Sequence, residues 1–227
     1  MTPIPLMEGI SLEGERMKPE LLESLDEARD TITSLNGILS ANKYTDDLST
    51  VLVTGLLTTL IQYHHSILLL VNVGDVRAAA ALARDVVDNM YVALWINGCA
   101  SADQVNKIKT DDRFPVTYPE IFEQVDSKHK ENTYFSELTG RCGAPLYSYN
   151  RSGILKLGLW SLGSHVELHD EREITRGLSA VTLCILFLAC EFLAKQNRVG
   201  ESKLVQDLAD EYEKRSASRS LFFHKSA

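Results

Sequence analysis

From Leu48 to Val73 the chain carries no aspartate, glutamate, lysine or arginine, and this stretch limits the fold more than any other. A run this long and apolar is a helix set either at the centre of a bundle or in a membrane, where about 20 predominantly apolar residues are needed to span. Thr58, Thr59, Gln62, His64 and His65 interrupt it, which favours burial among other helices. The second apolar stretch, Gly177–Ala194, is short and contains Glu191. The mean hydropathy of −0.08 is that of a soluble chain, so no membrane association is expected.

The next segment, Asn72–Trp95, is alanine-rich and patterned differently. Arg77, Arg84, Asp88, Tyr91 and Trp95 step by intervals that put them on one side of an α-helix. Charge inside an Ala/Val/Leu helix is expensive to bury unless another polar group or a ligand answers it. The pattern therefore describes either a structural ion pair between Arg84 and Asp88 or the floor of a site. If a pocket exists, Arg84, Asp88 and Tyr91 line it, and His165 approaches from the later segment. His165 is favoured because Ser164, Glu167 and His169 concentrate polar groups around it.

The rest of the chain reads the same way. Pro19 suits a first helical turn. Leu21, Leu25, Ala28, Ile32, Leu35 and Leu39 then recur at 4-3-4-3-4 spacing, an amphipathic seam. Asp46 or Asp47 can cap a helix over Leu48–Val73 that stops before Gly74, and Asp75 can cap one running to about Asn97. Shorter helices are expected near Ser101–Lys109, Glu120–Lys130 and Thr133–Leu138. A long one follows over Glu171–Asn197 and a last one over Ser202–Arg215. No segment alternates as a strand does. The expectation is an all-α protein, a single helical bundle of about six to eight helices over residues 19–215. A loose segment 1–18 precedes it and a basic tail 216–227 follows.

Composition narrows the function classes. The net charge of −8 argues against a broad, non-specific nucleic-acid surface. Cys99, Cys142, Cys184 and Cys190 show no CxxC spacing and read as small core residues in a reducing cytosol. There is no GxSxG elbow, no Walker loop and no dinucleotide glycine pattern after a strand, so no cofactor is expected. His165 and His169 are four apart, a legitimate two-ligand metal arrangement. The segment is not HExxH, however, and histidine pairs near a helix start more often cap or pack; no metal is expected. Arg219 and His224 have the spacing of a metal-independent RNA-cleaving pair, the arginine holding the phosphate and the histidine moving a proton.

The stretch from about His64 to Ala194 resembles a group of uncharacterised bacterial all-helical proteins. These carry Gly-x-x-x-Ala…Leu-x-Arg-x-x-x-Glu and then an aromatic residue, followed by a Trp- and Ser-containing segment with a histidine. Gly74, Ala78, Leu82, Arg84 and Trp95 fit the first part, with Asp88 in place of the glutamate; Trp160, Ser164 and His165 fit the second. The group is similar in outline to the HEPN superfamily and its abortive-infection relatives, helical bundles of bacterial defence and toxin–antitoxin loci. That resemblance implies a non-enzymatic helical binding or regulatory protein with such a role. The alternative it implies is a HEPN-like metal-independent endoribonuclease, or an inactive relative, using Arg219 and His224. The expected partners are a second copy through the N-terminal helix and a protein or RNA, in the cytoplasm.

Overall fold

Pro19 opens α1 (Pro19–Ser40), and the sequence seam becomes its buried face: Leu21, Leu25, Ala28, Ile32 and Leu35 are buried, with Leu39 half-buried. The computed structural model describes residues 19–41, 43–111, 113–139 and 171–222. Among them the protein is an all-α bundle with no strand. α2 (Leu48–Asn72) and α3 (Val76–Gly98) follow, then α4 (Ala102–Asp111), α5 (Tyr118–Lys128) and α6 (133–139). α7 (Glu171–Lys195) and α8 (Val199–Phe222) complete the described chain.

Two helix pairs form the frame. α2 and α3 pack along each other, as do α7 and α8; α7 also packs on α3, α2 and α1. From Leu178 to Leu193 α7 is buried nearly all round, as suits a stretch that is apolar on almost every side. Ile61, Leu68, Val181 and Ile185 are buried as expected, and Leu82 is half-buried. Each large side chain so buried contributes about 1.5–3 kcal/mol. By length and composition α2 and the Ile174–Lys195 part of α7 could each cross a membrane, but most of the α7 window is buried inside the bundle.

Both reversals are built alike. At the end of α2, Gly74 takes φ +82° while Asp75 N–H donates to Leu70 C=O (2.8 Å) and Gly74 N–H to Val71 C=O (3.0 Å). At the end of α7, Asn197 takes φ 56° and Arg198 N–H donates to Leu193 C=O (2.9 Å). Glycine and asparagine are the residues that tolerate this left-handed cap. The cap at Asn197 also explains why α7 ends at Lys195, short of the expected Asn197. The last helix is longer than expected, reaching Phe222 within the segment 216–227.

Asp47 begins α2 by accepting from Thr50 N–H (3.0 Å). The Ser49, Thr45 and Thr50 hydroxyls donate to the same carboxylate and hold its pKa well below the usual carboxylate range. Thr50 Oγ1 in turn accepts from Gln196 Nε2 (2.8 Å), tying the start of α2 to the end of α7. Asp47→Ala is expected to cost about 1–2 kcal/mol. Because the folded pKa is depressed, the contribution is complete above the unfolded carboxylate pKa, begins to decline as pH falls below it, and is lost only as pH falls through the folded value. Urea titrations at pH 7 and pH 3 check this: the gap between wild type and variant should narrow at the lower pH.

Candidate functional site

The polar stripe of α3 runs from solvent into the core. Asp75 caps the helix through Ala78 N–H (3.1 Å). Arg77 is exposed, Arg84 and Asp88 are partly buried, and Tyr91 and Trp95 are buried. The change comes from α5, which lies against the C-terminal half of α3. Tyr91 Oη donates to Asp126 Oδ1 at 2.8 Å and Trp95 Nε1 to Gln124 Oε1 at 2.9 Å. The Tyr91 ring meets Phe122 edge-on with centroids 4.3 Å apart.

Sequence reasoning grouped Arg84, Asp88, Tyr91 and His165. The structure brings Arg84 and Asp88 together, Nε to Oδ2 at 3.7 Å, with side chains 40% and 38% exposed. It directs the Tyr91 hydroxyl to α5, where it serves the packing of two helices. His165 lies outside the described residues, as do His169 and His224; Arg219 falls in α8, its side chain outside them. A partly exposed i,i+4 pair contributes only about 0.3–0.5 kcal/mol. Burial pushes the Asp88 carboxyl above its ordinary value, Arg84 opposes that shift, and Asp85 adds to it. The pair is thus a cation and a partly desolvated carboxylate at the surface, able to receive an anionic or hydrogen-bonding group.

Two buried polar groups, Asn97 and His129, escaped the sequence reading, as did the partner of a third, His64. His64, fully buried on α2, lies with Nε2 3.0 Å from Thr182 Oγ1 on α7. Asn97 Nδ2 donates to Glu191 C=O (3.2 Å). His129, at the end of α5, packs its ring on Phe135 (4.9 Å) and Phe187 (5.6 Å). Burial lowers its pKa, against the nearby Glu191 carboxylate. A histidine in an apolar run signals burial, but its partner lies over a hundred residues away and no local pattern points to it.

A shallow groove lies where α3 ends, lined by Cys99, Glu123, Gln124, Ser127 and Lys128. The Lys128 ammonium occupies the space that a Cβ on Gly98 would need, a favourable place for a cation beside helix-terminal carbonyls. Burial pushes the Cys99 thiol up, so it lacks the thiolate character of a nucleophile. Among the described residues no group of three or more His, Cys, Asp or Glu side chains could hold a metal ion. No known family model, curated protein or solved structure matches the chain.

Proposed function

We propose that this chain is a non-enzymatic helical binding or regulatory protein, acting in the cytoplasm in bacterial defence or a toxin–antitoxin system, with Arg84 and Asp88 as its contact. The observation that carries this reading is the Arg84–Asp88 pair itself. Along one helical stripe Tyr91 and Trp95 are taken up by α5, while these two remain at the surface. Cys99, Cys184 and Cys190 are unbridged thiols, which supports a reducing compartment.

The test is a thermal-shift panel of small carboxylates, phosphates and amines, repeated with Arg84→Ala. The expected result is a stabilising compound whose effect is lost in the variant. The stability of the unliganded variant should fall by no more than about 0.5 kcal/mol. A fall of several kcal/mol with no compound bound by the wild type would mark the pair as a structural clasp. Incubation with total RNA, wild type against His224→Ala, should show no cleavage by either. Cleavage that disappears in the variant would instead establish the HEPN-like ribonuclease with Arg219 and His224 as its pair.

A further inference from the structure

The α1 seam expected to meet a second copy is already covered, chiefly by α7 and α8. The outer face of α1 exposes Glu20, Glu23, Asp26 and Asp30, with Arg29 as its cation, paired to Asp26, so two copies meeting there would oppose an excess of negative charge. α2 is the reverse case. It packs by Val53, Leu57, Leu60, Ile61, His64, Ile67, Leu68 and Val71, and its other side faces solvent without one formal charge. Val51, Leu69 and the adjoining Val73 are 53%, 67% and 66% exposed.

The order of residues on that face is self-complementary. Val51, Gly55, Thr58, Gln62, His65 and Leu69 are exposed at 4-3-4-3-4 spacing, the seam period of two packed helices. The stripe is apolar at both ends and polar in the middle, and Gln62 stands halfway between Val51 and Val73. Antiparallel pairing about a two-fold axis at Gln62 sets Val51 against Val73 of the second copy and Leu69 against Gly55. Thr58 then faces Ser66, His65 faces Thr59, and Gln62 meets its own counterpart. An isologous contact requires this reciprocity: where one residue meets a second across the axis, the second meets the first. The glycine leaves room for the leucine, since a Cβ added at Gly55 touches nothing within 4 Å in the single chain.

We propose that the solvent side of α2 is the self-association surface of this protein, two copies packing their α2 helices antiparallel about Gln62. Electrostatics favours a second copy over other occupants. Chains of net charge −8 repel over most of their surfaces, and this uncharged face is where they approach without opposing charges. It offers no lysine or arginine to a nucleic-acid backbone or to an anionic bilayer, which amphipathic surface helices meet with basic side chains. The contact is independent of what Arg84 and Asp88 bind.

Light scattering after size exclusion should give twice the 25.3 kDa of one chain at high micromolar concentration. Gly55→Leu and Leu69→Glu should each weaken self-association about tenfold or more, with the circular dichroism of the monomer unchanged. Gly55→Leu is the decisive variant, because the single chain has space for the side chain and the paired helices do not. Gln62→Cys with a short bis-maleimide should give a cross-linked dimer. A monomeric wild type, a dimer indifferent to both substitutions, or a dimer that Gln62→Cys fails to cross-link each overturns the proposal. So does a monomer that floats with neutral phosphatidylcholine vesicles, which would make α2 a lipid-facing helix.

Discussion

Trp95→Ala is expected to lower the stability of the protein by about 3–5 kcal/mol, the range for deleting a large buried aromatic side chain. Trp95 has no exposed surface and joins α3 to α5 through the indole N–H to Gln124. Alanine would leave a cavity between these helices and remove the donor to the half-buried Gln124 amide oxygen. Trp95→Phe separates the two effects. It keeps most of the apolar volume and removes the hydrogen bond, so its cost should be smaller, about 1–3 kcal/mol. Urea unfolding gives the magnitudes. Hydrogen exchange locates them: α5 amides should lose protection in the alanine variant well before those of α7. Equal loss across the whole bundle would show that α5 is not held separately through this contact.

His64→Leu is expected to remove most of the acid sensitivity of the fold. Thr182 Oγ1 already donates to Leu178 C=O (2.9 Å), so the hydroxyl can only accept from His64. The imidazole therefore carries its proton on Nε2, and Nδ1 is a buried acceptor with no partner. Burial, with the adjacent His65 adding repulsion, lowers its pKa from the ordinary 6.5 to about 3. The unfolded chain then binds a proton that the folded chain refuses wherever the pH lies between those values. Stability is complete above about pH 6.5 and falls by on the order of 1.4 kcal/mol per pH unit as the pH drops towards the folded value. Leucine has no proton to take up, while the loss of the donor to the buried Thr182 hydroxyl costs about 1–3 kcal/mol at every pH. Wild-type stability should thus fall between pH 7.5 and pH 5 while that of the variant stays nearly level, which closes or reverses the gap between them. Parallel slopes from pH 7.5 to 5 would assign the acid sensitivity to other groups.

Where a feature depends on neighbours in sequence, it was legible before the fold was known. The seam of α1, the cap at Asp75, the stop at Gly74 and an α2 cap at Asp46 or Asp47, of which the structure uses Asp47, are all set by residues within a turn or two of one another. So was the Arg84–Asp88 pair, one helical turn apart. What sequence could not supply was the depth of the α3 stripe. Arg84 and Trp95 share a face, yet one is partly exposed and the other buried, because α5 covers only one end of α3. The partners Asp126 and Gln124 follow 35 and 29 residues later, inside a helix whose pattern is otherwise ordinary. The boundaries of α5 shifted for a local reason that was readable: Glu120 reaches back to accept from Thr117 N–H (2.7 Å), so the helix starts before Glu120 instead of at it.

The docking of α1 has a consequence for the order of events at the ribosome. The surfaces that cover Leu21, Leu25, Ile32 and Leu35 belong chiefly to α7 and α8, which are translated after every other described helix. At about 5–20 residues per second, that interval is on the order of tens of seconds. Throughout it α2 and α3 can pair, being adjacent in the chain, while the apolar seam of the first helix waits without its cover. The nascent chain therefore stays prone to aggregate until α7 and α8 emerge, and the segment that exposes it to that hazard is the first of the described helices to be made.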